Sequence, residues 1–180
     1  MKLNVGCGWR DFGRDWIHVD AGDYSHLDST DINLLEYEEN MADLIYASHV
    51  ITYFDRDEIQ SILSNWKRVL KPSGILRIAT PDFSKMVGLY IKGYNEIELD
   101  SFLGPLYGKM QMDKQTIYHK TTYDWKELEK VLSLVGFKNI RFYDWRETEH
   151  SEFDDHSQAY IPHMDKENGT LISLNVECDK

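Results

Sequence analysis

The chain predicts an open α/β sheet with a ligand crevice at the carboxyl ends of its strands, and three stretches carry that expectation. In Leu3-Asn4-Val5-Gly6-Cys7-Gly8 an apolar run leads straight into two glycines. A buried strand does this where it breaks into a turn that lets backbone approach something closely. Twelve residues past Gly8 a second run, Trp16-Ile17-His18-Val19, ends in Asp20. Further on, an amphipathic helix closed by Lys71-Pro72-Ser73-Gly74 leads into the apolar run Ile75 to Ala79, the helix–strand alternation of α/β architecture. Neighbouring parallel strands would set the glycine turn and Asp20 side by side, where open α/β sheets bind ligands.

Composition limits the partners. With 180 residues, 42% hydrophobic and 13% aromatic, the chain suits one domain with a sizeable core. The net charge of −11 and absence of any basic run disfavour nucleic acid, whose phosphates need clustered Lys and Arg. The longest apolar stretches are strand-length and no charged-then-apolar leader opens the chain. The expectation is therefore a cytoplasmic protein with no membrane span and no secretory signal. Cys7 and Cys178 lie at opposite ends without metal-ligand spacing and read as buried, reduced thiols.

Strand one covers about Lys2 to Val5. The link Gly8 to Asp15 is too short for a helical crossover, which needs at least about 10–12 residues. Strand two, Trp16 to Val19, is followed by a polar loop from Asp20 to Thr30 and a short third strand at Asp31-Ile32-Asn33-Leu34. After the acidic stretch Glu36 to Met41, Ala42 to Ala47 reads as strand four, and Ser48 to Phe54 leaves the sheet. Asp55, with Glu58 three residues on, predicts a capping box. Ile59, Ile62, Leu63, Trp66, Val69 and Leu70 then form one helical face, stopped by Lys71 to Gly74. Strand five, Ile75 to Ala79, precedes a weakly signalled region with a helix about Met86 to Ile91 and breaks at Gly93, Gly104, Pro105 and Gly108. Asp124 caps a second clear helix with Leu128, Val131, Leu132 and Val135 inward, ended by Gly136. Phe137 to Trp145 is a strand, Glu147 to Asn168 a long polar loop, and Thr170 to Glu177 a closing strand.

In this order the residues resemble the class I S-adenosylmethionine-dependent methyltransferases, in particular small members with an LNVGCG opening, a YASHVxxxF segment (here Tyr46 to Phe54) and an RVLKPGG segment, with Ser73 replacing a glycine. The likeness is strong over about Met1 to Phe83 and extends to the last helix and closing strands. It implies a Rossmann-like, doubly wound, mostly parallel seven-stranded sheet with one antiparallel strand. It makes residues 84–121 and 147–168 a substrate-side insert and loop. It implies S-adenosyl-L-methionine as cofactor and methyl transfer as the reaction. By resemblance, Gly6, Cys7 and Gly8 line the methionine portion, and Asp20 with Ala21 takes the ribose hydroxyls. Asp31 and Ile32 flank the adenine, and Ser48 and His49 stand where the methyl leaves. Tyr53 occupies a position often held by His in relatives.

The chemistry suits these residue types. A sulfonium cofactor carries no phosphate, so it needs close backbone and a diol acceptor rather than a helix N-terminus. Methyl transfer needs alignment and, for a hydroxyl acceptor, proton removal. Candidate bases are His156, oriented by Asp155 or Asp154 in a loop folding over the crevice, and His119 in Tyr118-His119-Lys120. The group Asp154-Asp155-His156 with His150 and His163 also admits a metal site or a solvated loop, though its spacing matches no ligand rule. Trp9, Trp16 and Trp66 read as core or cover. The expected acceptor is a small molecule or glycan, with a sugar hydroxyl first; Tyr90, Tyr94, Tyr107, Tyr118 and Trp125 are the aromatics that would suit it. Two other classes stand beside this reading. A nucleotide-dependent oxidoreductase wants a third glycine where Asp11 stands, and a catalytically silent binding module is compatible with everything above.

Overall fold

A computed structural model describes residues 1–93, 97–112 and 115–180; Tyr94 lies outside them. The central sheet is built from β1 (Lys2–Val5), β2 (Trp16–Val19), β3 (Ala42–Ser48), β4 (Leu70–Pro81), β7 (Lys138–Phe142) and β10 (Ser173–Asp179), in the order β2-β1-β3-β4-β10-β7. The pairs β1–β2, β1–β3 and β3–β4 are parallel; β10 runs antiparallel to both neighbours. The chain steps from β1 to β2 on one side, then back to β3 on the other. The switch point therefore lies between β1 and β3, with Gly6 to Gly8 and Ser48-His49 at its mouth.

The sheet has six strands rather than seven. The expected strand Asp31–Leu34 is a bend, and only an isolated bridge, Val19 to Ser29, remains beside β2. The reason is local: Asp31 Oδ1 accepts from the Asn33 and Leu34 N–H groups at 2.9 Å each, closing an Asx-type turn where a ladder would have run. The outer edge of β2 is instead covered by the preceding loop, with Asp28 N–H donating to the His18 carbonyl and Asp28 Oδ2 accepting from His18 N–H, 2.9 and 2.8 Å.

Alternation along the strands sends two different sets of residues to the two faces. Leu3, Val5, Ile45, Leu76, Ile78, Leu174 and Val176 meet α1 (Ile59–Val69) and α4 (Trp125–Val135) in an apolar core centred on the fully buried Trp66. α4 is capped as its sequence requires, Asp124 Oδ1 accepting from Glu127 N–H at 2.8 Å, and it ends on left-handed Gly136. At α1 only half the capping box forms: Glu58 Oε2 accepts from Asp55 N–H at 3.1 Å, and the helix proper starts at Ile59. Lys71 to Gly74 ends the helix but not the pairing, because β4 already begins at Leu70 and slips register between Ala42 and Leu44.

The other face carries Trp16, Leu44 and Tyr46 among polar neighbours. It is covered by Phe12 and by the stretch expected to be open loop. There His150 stacks on Tyr46 at 3.9 Å and Phe153 on Phe12 at 4.3 Å. That stretch has structure of its own, including a short turn His156–Gln158 and the two-stranded pairing of β8 (Tyr160–Ile161) with β9 (Thr170–Leu171).

The insert folds as α2 (Phe83–Lys92), α3 (Asp100–Tyr107) and the hairpin β5 (Met110–Met112)–β6 (Gln115–Ile117). Gly104 and Pro105 do not break α3 as expected, since they fall in the second half of an eight-residue helix where few bonds remain to be lost. Gly108, left-handed, ends it.

Candidate active site

The glycine turn is tied to both neighbouring strands. Gly6 N–H donates to the Val19 carbonyl at 2.6 Å, and Gly8 N–H to Asp20 Oδ2 at 2.8 Å. Gly6 has φ +70°, and a Cβ there would lie 2.0 Å from the Val50 side chain, so only glycine fits. Gly8, at φ +59°, has nothing within 4 Å of where a Cβ would be. Asp20 is nearly buried and accepts a second backbone bond from Gly22 at 2.7 Å through Oδ1. A carboxylate offers about four acceptor sites, so two backbone bonds leave it able to take a diol. Ala21 is exposed beside it. Cys7 is buried and unbridged, its thiol pushed up to about 12 by burial and by the Asp20 charge; it stays a neutral lining group.

Beside this turn, β3 ends in Ser48, whose hydroxyl is buried with no partner, and in His49, held at φ +54°. Left-handed backbone at a non-glycine residue marks a position fixed by its surroundings. His49 Nε2 lies 3.4 Å from Ser173 Oγ; that hydroxyl donates to Asn175 Oδ1, and Asn175 Nδ2 donates to the Ser157 carbonyl. The Ser173 hydroxyl hydrogen points to Asn175 Oδ1, so toward His49 that oxygen can only accept. The imidazole proton therefore sits on Nε2, leaving Nδ1 as the basic nitrogen. The sequence reading of Thr170 to Glu177 as a closing strand carries no sign of this relay, because alternation alone does not say which element the polar face meets. The alternation puts Ser173 and Asn175 on the face opposite Leu174 and Val176.

The ring of His156 stacks on His49, centroids 5.0 Å apart and 29° from parallel. Burial lowers the pKa of His49 well below the ordinary histidine value, with His156 and His119 adding to it. His156 is exposed at the surface, yet desolvation first and the Arg10 charge next lower its pKa too. Both rings are neutral near pH 7.

Two expected arrangements are rearranged. Asp155 does not hold the His156 ring: it is buried, accepts from the Tyr46 hydroxyl through Oδ2, and through Oδ1 accepts from Ser157 N–H at 2.8 Å. It caps the turn that carries His156. Asp154 faces outward to Lys166 at 2.9 Å. His119 has its Nδ1 at 3.1 Å from the Pro105 carbonyl, and its Nε2 lies against Gly108, where a Cβ would come within 2.0 Å. Both nitrogens are occupied or covered, so His119 packs α3 against Tyr53, whose ring meets it edge-on at 4.6 Å and whose hydroxyl donates to the Gly108 carbonyl. Among the described residues no group of three or more His, Cys, Asp or Glu side chains is placed to hold a metal.

On the side of Asp31 and Ile32 a groove of about 940 Å³ opens between Ile32 to Leu34, Tyr53, Phe54, the first turns of α1, and Tyr118 with Lys120. Asp31 stands exposed at its approach with Oδ1 engaged by the Asx turn. Trp9 is 69% exposed, unlike Trp16 and Trp66.

The comparisons agree with this architecture. Residues 15–78 match the model of a methyltransferase domain. That match spans about a third of the chain, and the solved structures it resembles share its fold. Its fold matches a SAM-dependent methyltransferase from Archaeoglobus fulgidus with TM-score 0.60 and 16% identity, over 99% of this chain and 85% of that one. A SAM-dependent methyltransferase from Methanosarcina mazei gives 0.60 and 16%, over 99% and 91%. The DhpI–SAH complex gives 0.56 and 9%, over 98% and 74%. Comparison with curated proteins finds no match. Among the described residues no helix is long and apolar enough to cross a membrane.

Proposed function

We propose that this methyltransferase domain transfers a methyl group to an oxygen of a small polar acceptor, first of all a sugar hydroxyl, with His156 as proton acceptor. The observation that carries it is the meeting, at one switch point, of a glycine turn pinned to a carboxylate and a pair of neutral stacked imidazoles. Gly6, Cys7 and Gly8 would lie along the amino-acid portion of S-adenosylmethionine. Asp20 and Ala21 would take the ribose, Asp31 and Ile32 would border the adenine, and Ser48 and His49 would flank the sulfonium. When bound, the cofactor supplies an electrophilic methyl for in-line displacement.

The chain's own part is alignment and proton removal. An exposed imidazole at the crevice meets an acceptor more readily than half-buried His49, and a neutral ring can take the hydroxyl proton. Asp155, Tyr46 and Ser157 act as positioning residues for that ring, and His119 positions α3. The described parts of residues 84–121, and residues 147–168, would form the acceptor's walls, with Tyr90, Tyr107 and Tyr118 exposed there; Trp125 instead packs on Phe142 at 4.3 Å. The acidic surface makes nucleic acid a poor partner.

The test is a methyl-transfer screen over sugars, small phenols, amines and RNA. Transfer to hydroxylated sugars is the expected result; activity confined to amines or RNA overturns the acceptor assignment. His156→Ala is expected to lower turnover by roughly 10²–10⁴ with S-adenosylhomocysteine affinity nearly intact. Full activity in that variant removes His156 from the chemistry.

A further inference from the structure

A glycine turn at the end of a first parallel strand ordinarily opens a helix, whose free N–H groups and dipole favour negative charge. In this chain it does not: residues between β1 and β2 contain no helix. The surroundings are acidic as well, since Asp20, Asp11 and Asp28 all act on the Cys7 thiol. An amino-acid carboxylate laid along this turn would meet repulsion with no helix end to offset it.

Among the described residues a cation stands beside this turn. Arg10, two residues beyond Gly8, is held by its Nε–H donating to the Asp154 carbonyl at 2.7 Å, and its guanidinium lies 4.8 Å from the Trp9 ring centroid. Its backbone N–H donates to the Cys7 carbonyl at 3.2 Å, so Arg10 ties the glycine turn to the segment that carries His156, whose ring stacks on His49. Arg56, Arg77, Arg141 and Arg146 each pair with a carboxylate. Among the described residues Arg10, Arg14 and Arg68 form no ion pair with a carboxylate; Arg68 is engaged by the Tyr37 and Leu35 carbonyls and Arg14 is exposed, which leaves Arg10 as the one beside the glycine turn and the His156 segment. A guanidinium kept free of carboxylates beside a ligand crevice is a receptor for an anion that arrives with the ligand, and its planar fork suits a carboxylate.

We infer that Arg10 receives the carboxylate of the cofactor's amino-acid portion, doing with a full charge what a helix N-terminus does in sheets where the glycine turn opens one. This rests on the reading of the crevice as the cofactor site. Calorimetry with two probes tests it: S-adenosylhomocysteine, which has the carboxylate, and 5′-methylthioadenosine, which keeps the nucleoside and sulfur but lacks the amino acid. Arg10→Ala is expected to weaken S-adenosylhomocysteine binding by about ten- to a hundred-fold and to leave 5′-methylthioadenosine binding unchanged, while Arg10→Lys recovers part of the loss. An equal fall for both probes, as a purely structural tether to the Asp154 loop would give, overturns the inference, and so does no change for either. Wild-type protein that binds neither probe overturns the cofactor reading itself, and this inference with it. Binding of both by wild type without a selective loss in Arg10→Ala overturns this inference alone.

Discussion

Asp20 joins two loops through one carboxylate, and the role proposed for it toward the cofactor separates from that one by experiment. It pins Gly8 and Gly22 by backbone bonds, and its remaining acceptor sites suit the ribose diol. Asp20→Ala is expected to cost roughly ten- to a hundred-fold in S-adenosylhomocysteine affinity, the range of a hydrogen bond to a charged group; calorimetry on a variant with native circular dichroism checks it. His150 makes a second prediction. It is buried with Nε2 unpartnered, and burial lowers its pKa to about 4. Between that value and the unfolded histidine value of about 6.5 the unfolded chain binds more protons, so stability falls as pH drops through this window and levels off below it. The contribution is on the order of 3 kcal/mol. Urea midpoints measured from pH 7 to pH 4 are expected to fall less steeply in His150→Phe, which also removes the orphaned nitrogen. A slope identical to wild type assigns the pH dependence elsewhere.

At the scale of elements, the glycine turn and the caps decide most. Gly6→Ala places a methyl group into the Val50 side chain at a φ that L-residues avoid. The expected loss exceeds the ~1 kcal/mol typical of a strained Gly→Ala change and includes cofactor binding, read by thermal midpoint and calorimetry together. Asp124→Ala removes a formed cap from α4 and is expected to lower stability by ~1 kcal/mol without touching cofactor affinity. Elements with a strong periodic signal and a cap, α1 and α4, were legible within a few residues. The strand expected at Asp31–Leu34 was not, because an Asp whose carboxylate can take the N–H groups two and three residues on is as good a turn former as an edge-strand start. Local hydrogen bonding won over a ladder with a single neighbour. In the insert, weak periodicity hid the β5–β6 hairpin and α3, whose C-terminal end is held by contacts from Tyr53 and His119 rather than by its own pattern.

At the scale of the molecule, one face of the sheet is covered by helices and the other by an irregular polar pad. Tyr46, in the middle of β3, donates to Asp155 of that pad, and Asn175 of β10 donates to the Ser157 carbonyl. The pad thereby fixes where His156 stands. Tyr46→Phe leaves a buried Asp155 oxygen without its donor and is expected to cost ~1–3 kcal/mol. The same change is expected to lower turnover more than cofactor affinity, because it loosens the His156 turn and not the glycine turn. Equal losses in both would place Tyr46 in the cofactor site instead.

The sequence by itself determined the α/β class, the crevice at Gly6–Gly8 and Asp20, and the helices α1 and α4. These rest on interactions between residues near in sequence: period, caps, and glycine where a Cβ cannot fit. It also marked His156 and Asp155 as neighbours in a polar loop. Only the tertiary structure decided what they do, turning Asp155 inward to Tyr46 and laying His156 on His49. It likewise brought Arg10 within electrostatic reach of that pair, and Ser173 and Asn175 beneath it. Those partners are separated by tens to more than a hundred residues along the chain. Their meeting depends on strand order and on which face each side chain takes, neither of which is set by any local pattern.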